Sequence, residues 1–157
     1  GLTPKGILQL ANEGKIATIN VTEDISPLDA IELGKGAVEA AEYEATEIVL
    51  NRATLSTLVQ TKDAEGRYIV SNTDNPTFWG LRPVICNALP SRHIVVGSVS
   101  RAARGFSLVG PDAKIEAYRG ETDMEEGTFT TLAEAYVAVT ILRPSALALV
   151  VLPDPDA

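Results

Sequence analysis

The side chains able to do chemistry are few, and their spacing is poor for it. The single histidine, His93, stands between Ser91 and Ser98. A serine hydrolase needs a hydroxyl nucleophile, an imidazole base and a carboxylate that orients the ring. The Gly-x-Ser-x-Gly turn that would present such a serine is absent from the sequence. His93 therefore reads as a structural residue at the head of a strand. The acidic run ETDMEEG offers Glu121, Asp123, Glu125 and Glu126. It lacks the alternating Asp register and the glycine placement of a calcium loop, and reads as a solvated acidic turn. Phosphate loops of the GxGxxG or GKS/GKT kind do not occur. One cysteine, Cys86, permits neither an internal disulfide nor a thiolate metal cage, and reads as a small hydrophobe within RPVICNA. One catalytic reading survives: a small acidic hydrolase or ligand-binding domain using Glu134, Asp123 and His93. It requires those side chains to converge within hydrogen-bonding reach. Otherwise no catalytic residue, metal or cofactor is expected.

Composition narrows the classes further. The 157 residues suffice for one domain with a real core, or one domain and a small appendage. Aromatics make up only 5%, so the core must be built from Ala, Val, Ile and Leu. A net charge of −8 argues against a nucleic-acid binder, because phosphate contacts need clustered Lys and Arg. The charge is unevenly spread. No acid falls between Asn75 and Pro111, a window that holds Arg82, Arg92, Arg101 and Arg104. Such segregation suits head-to-tail self-association, and is equally compatible with chance segregation on a solvated surface. No apolar run reaches the roughly 18–20 residues of a membrane span. GLTPKGIL at the start has no basic region of the signal-peptide kind.

These residues imply an α+β arrangement. Residues 1–6 read as irregular. KIATINV (15–21) alternates like a strand. Ser26, Pro27 and Asp29 mark a helix start, with a hydroxyl cap, a proline in the first turn and a carboxylate near the helix dipole. That helix is expected from Pro27 to Glu42, with Leu28, Ile31, Val38 and Ala41 on one face. EIVLN (47–51) reads as a buried strand, residues 52–61 as a second helix, and Asp63–Gly66 as a turn. YIV (68–70) reads as a brief strand. Phe78 and Trp79 end a polar loop, as core or interface anchors. RPVICNA and HIVVGSV read as strands joined by a turn at Leu89–Arg92. Residues 100–104 are ambiguous, and GFSLV and AKIEAYR read as further strands. From Thr128 to Leu142 the odd positions run Phe129, Thr131, Ala133, Ala135, Val137, Val139, Ile141. That is period-two patterning over one long strand. Pro144 breaks it, and SALALVVL is expected to return to the main sheet.

The order of these features resembles the major capsid proteins of tailed phages, of the Hong Kong 97 type. The resemblance is carried by GLTPKGIL, by EIVLN with the helix that ends in KDAEGRY (62–68), by FWGLRPVICNALPSRHIVVGSV, by AKIEAYRG, and by the long strand closing at Arg143–Pro144. It covers essentially the whole chain. Encapsulin nanocompartments, which enclose protein cargo, share the architecture and stand as the second reading.

The resemblance implies a central mixed sheet flanked by helices, plus long strands. Residues 1–112 with 144–157 would form the axial (A) domain, and 113–143 part of the peripheral (P) domain. The family's N-terminal arm, E-loop and spine helix would precede Gly1, so the chain resembles the C-terminal part of a longer subunit. The apolar face from Phe129 to Ile141 would then lack its usual cover. It is expected to lose order, fold back or pair with another chain. An ordered strand with that face in solvent would weigh against the resemblance. Some family members form a Lys–Asn isopeptide cross-link promoted by a glutamate. Glu134 matches that glutamate, but the asparagine position falls on Gly127, so no cross-link by that route is implied. The implied function is a shell subunit, self-assembling into pentamers and hexamers beside other phage head proteins. It would sit in the virion, and in the host cytoplasm during assembly, with no sequence-specific nucleic acid and no membrane as partners. Candidate inter-subunit contacts are Trp79, Arg92, Arg101, Arg104 and Glu134.

Overall fold

The computed structural model describes residues 5–22, 24–62, 66–69, 76–107, 114–118, 127 and 129–153. The chain divides into two compact units. Residues 5–103 with 141–157 form the larger, and 104–140 belong to the smaller.

The larger unit is built on a five-stranded mixed sheet. Its strands are β1 (Ala17–Asn20), β2 (Glu47–Leu50), β3 (Arg82–Ile85), β4 (His93–Gly97) and, last in the chain, a strand at Leu147–Val151. That last strand lies between β1 and β4, next to the middle of the sheet, parallel to β1 and antiparallel to β4. β2 separates β4 from β3, so β3 and β4 are joined by the Leu89–Arg92 turn but do not pair with each other. The inner strands are apolar at successive positions because both faces are covered. Ile48, Leu50, Ile94, Val96, Ala148 and Val150 face one core. Val95, Leu147 and Leu149 face the other.

Two helices cover the first face, α2 (Pro27–Ala40) and α3 (Arg52–Val59). α2 starts where the sequence signals it. The Ser26 hydroxyl accepts from the Leu28 N–H at 3.4 Å, with Pro27 in the first turn and Asp29 behind it. It buries Ala30, Ile31, Gly34 and Val38. Asn51 caps α3, accepting from the Ala53 N–H at 2.8 Å, while its amide donates to the Leu89 carbonyl at 3.1 Å. The second face is covered by α1 (Ile7–Asn12) and the short α4 (Val99–Ala102). α1 was not foreseen. Gly6 caps it without a side chain, and six residues carry too little periodicity to stand out.

The smaller unit consists of two paired ribbons. β5 (Ala103–Ser107) pairs with β8 (Val137–Ile141), and β6 (Lys114–Tyr118) pairs antiparallel with β7 (Thr130–Glu134). The single long strand expected over 128–142 is thus two strands. The backbone leaves one ladder after Glu134 and joins another at Val137, because its hydrogen-bonding partners are two different strands. The expected strand YIV is reduced to one isolated bridge, Lys62 to Tyr68, and Val70 lies outside the described residues. The ambiguous residues 100–104 are the end of α4 and the start of β5. SALALVVL begins as a 3-10 turn, Pro144–Ala146, before the final strand, β9 (Leu147–Val151), rejoins the sheet.

The face expected to lose order, fold back or pair with another chain is ordered and largely open within the chain itself. Phe129, Val137 and Val139 stand 64%, 76% and 61% exposed in or beside well-formed strands.

Candidate functional site

Among the described residues no catalytic group assembles. His93 Nδ1 faces the Ser91 carbonyl at 3.1 Å. Ser98 lies just past the far end of β4, buried, with its hydroxyl 3.3 Å from that of Ser100. His93 and Glu134 belong to different compact units, and Asp123 lies outside the described residues, as do Glu121, Glu125 and Glu126. Among the described residues no three His, Cys, Asp or Glu side chains gather as metal ligands. Nor, among the described residues, is any helix long and apolar enough to cross a membrane. Cys86 is half-buried and free.

What the structure does offer is surface. Trp79 and Gly80 are the central residues of a two-residue turn, with φ of 54° and 80°. Phe78 and Leu81 close it reciprocally: the Phe78 N–H donates to the Leu81 carbonyl at 3.1 Å, and the Leu81 N–H donates back at 2.8 Å. Two successive positive φ values define the hairpin turn that matches strand twist, and glycine is at ease there. Tryptophan is not; a bulky residue in the left-handed region costs about 1–3 kcal/mol. The neighbours of Trp79 hold it there. Its indole N–H donates to the Leu28 carbonyl at 2.9 Å, and Lys35 Nζ donates to the Trp79 carbonyl at 3.5 Å. Phe78 is 2% exposed and anchors the turn in the core, while Trp79 is 51% exposed beside α2.

The arginines of the acid-free window do not form one patch. Arg82 starts β3 and pairs with Glu47 at 3.5 Å, while the other Glu47 oxygen accepts from the Val99 N–H at 3.2 Å. Arg92 stands at the opposite end of the sheet with φ 68°. Its N–H donates to the Thr54 hydroxyl at 3.0 Å, and its carbonyl accepts from the Leu152 N–H. There it lines a groove of about 380 Å³ with Thr54, Thr57 and Pro153. Arg101 is exposed on α4, and Arg104 is exposed on β5 in the smaller unit. Glu134 ends β7 opposite Lys114, partly buried. The β6–β7 ribbon has one charged face, bearing Lys114, Glu116, Tyr118 and Glu134. Lys114 and Tyr118 both hydrogen-bond Glu116, holding its carboxyl below the usual range, and the carboxylate in turn pushes the Tyr118 hydroxyl up. The opposite face carries Ile115, Ala117, Thr131 and Ala133 and has no charge. A further apolar hollow, about 470 Å³, opens where the chain passes from β7 to β8, against Phe106, Tyr136 and Val137.

Surfaces without a reaction centre are what the comparisons explain. The phage capsid family model matches residues 1–152. The chain belongs to the phage capsid family. The major capsid protein of Enterobacteria phage HK97 is 30% identical over 142 residues, spanning 85% of this chain and 36% of that protein. Among solved structures, the capsid of an empty GTA particle superposes with a TM-score of 0.71 at 19% identity, covering 96% of this chain and 55% of its own. The holo-SrpI encapsulin complex from Synechococcus elongatus gives 0.64 at 13% identity, covering 93% and 55%. Both are likenesses of fold. The expected α+β capsid architecture is therefore present. The chain spans about a third of the curated relative and about half of these structures. The ordered, open apolar face weighs against the resemblance, but the family match over nearly the whole chain outweighs it.

Proposed function

We propose that this capsid-family chain is part of the major head protein of a tailed phage or prophage, and that its work is self-association into the pentamers and hexamers of an icosahedral shell. The observation that carries this is the family match across residues 1–152, joined to a surface rich in unpartnered apolar strand and poor in reactive groups. In this reading the protein is not an enzyme. The larger unit is the axial domain and the smaller is part of the peripheral domain. Its partners are copies of itself and other head proteins, without sequence-specific nucleic acid. It resides in the virion, and in the host cytoplasm during assembly. Trp79, Arg92, Arg101, Arg104 and Glu134 are inter-subunit contacts. The encapsulin reading is supported by fold likeness alone, at 13% identity.

Light scattering and electron microscopy of the complete gene product test the proposal. Megadalton closed particles are expected, and a monomer or small oligomer under all assembly conditions would end it. Particles filled with protein cargo would favour the encapsulin reading. Reversing charge at Arg101 and Arg104 in that product should impair assembly; intact particles would remove those arginines from the contact set.

A further inference from the structure

The two sides of the main sheet carry opposite charge, each around an apolar centre, and we infer that they are the two halves of one interface between neighbouring copies. On one side, α2 turns Asp29, Glu32 and Glu39 outward. Lys35 lies 3.9 Å from Glu39 and also donates to the Trp79 carbonyl, and Arg52 on α3 with Arg92 beside Thr54 mark the limit of the acidic area. Trp79 lies along this helix, fixed to the Leu28 carbonyl and to Lys35. Helical register puts Glu32 and Glu39 on the strip next to residues 28 and 35, so the indole is bordered by carboxylates. On the other side, Arg101 and Arg143 are exposed, and neither has an ion pair among the described residues. The N–H groups of both Leu142 and Arg143 donate to the Ala102 carbonyl, which pins that segment to the end of α4. Leu142, 57% exposed, is thus next to Arg143 in the chain and bonded to the residue that follows Arg101. Lys5 and Lys15 on the same side share Glu13, and Arg82 there pairs with Glu47, leaving that side positive as well.

A subunit in a closed ring touches its two neighbours with opposite flanks, through one heterologous contact repeated. An anchored aromatic with an acidic rim and an apolar residue with a basic rim, on opposite faces of one sheet, meet that requirement. The rims exclude water from the apolar centre and fix the register, while like faces repel. This inference rests on the shell reading, and names the surfaces that the ring uses.

The test is made in the complete gene product. Three variants are compared: Glu32→Lys with Glu39→Lys, Arg101→Glu with Arg143→Glu, and all four together. Each two-site reversal places like charges across every contact and should lower particle yield by at least about tenfold. The four-site variant restores opposite charges and should recover particles. A mixture of the two two-site variants should co-assemble when neither does alone. Recovery cannot arise from misfolding, so rescue supports the pairing directly. Undiminished particles from either two-site variant, or loss without rescue in both the four-site variant and the mixture, overturn it. The shell reading itself falls only if the unsubstituted product makes no particles.

Discussion

Helix α2 contains two glycines two residues apart, and the same substitution at each should have opposite consequences. Gly36 faces open space: a methyl group added there meets no atom within 4 Å. Gly36→Ala should therefore return only the helix propensity that glycine forgoes, about 0.5–1 kcal/mol of added stability. Gly34 faces the sheet. A Cβ built on it stands 2.8 Å from Val150 Cγ2 and 2.9 Å from Val96 Cγ2, well inside van der Waals contact. Both valines are fully buried, so they have little room to retreat. Overpacking of this kind costs about 1–3 kcal/mol. Set against the same propensity gain, Gly34→Ala should be neutral to destabilising by about 2 kcal/mol. The two variants should thus differ by about 1–3 kcal/mol, the packing cost alone. Urea titration with a common slope measures that difference, and a chain of this size converts each kcal/mol into about 2–4 °C of Tm. Equal stabilisation by both substitutions would refute the close approach of α2 to β4 and β9.

Other consequences can be checked in the same preparations. Gly97 has φ 150°, and a Cβ there would lie 2.2 Å from the Ala146 carbonyl oxygen. Gly97→Ala meets rigid backbone and a strained torsion together, and should cost about 2–6 kcal/mol by chemical denaturation. Glu13 has its carboxyl held below the ordinary value near 4.5, chiefly by the hydrogen bond from Lys5. A lowered folded value means the contribution is complete above about pH 4.5 and fades as pH falls through the folded value. The helical carbon shifts of Ile7–Asn12 should weaken in acid, and Glu13→Gln should make them indifferent to pH. Val139→Glu adds charge to an exposed strand position, so Tm should move by no more than about 2 °C while particle yield collapses. Normal particle yield from that variant would show the apolar face to be dispensable.

The parts of this fold legible in the sequence are those with local signals. Ser26, Pro27 and Asp29 announce α2 because a cap, a preset φ and a dipole-stabilising charge all act within one turn. EIVLN, HIVVGSV and SALALVVL announce inner strands because burial on both faces makes them apolar throughout. What stayed hidden is what depends on remote partners. The pattern from Phe129 to Ile141 keeps one parity across the break at Ala135–Tyr136, so the sequence shows one strand where two ladders exist. α1 is held by burial of Leu10 and Ala11 against the sheet, not by capping chemistry. The exposure of Trp79 has a faint signature in Phe-Trp-Gly, a core anchor and a turn glycine around one aromatic. The charge asymmetry is a property of sheet faces. The acid-free window pointed to four arginines, of which Arg101 and the Glu47-paired Arg82 lie on the basic side together with Arg143, which the window excludes.

Among the described residues β9 is the last strand in sequence and the only link between β1 and the rest of the sheet. A ribosome makes every other strand of the sheet first, and those strands must wait with a gap beside β4. Non-local pairing of this kind is slow to form, and here it cannot begin until β9 has emerged. If copies of this chain associate as proposed, that timing guards against premature association. Nascent chains crowded on one message lack a finished sheet, and with it the rigid flanks by which copies would recognise one another. In the shell reading, competence to assemble therefore waits for β9.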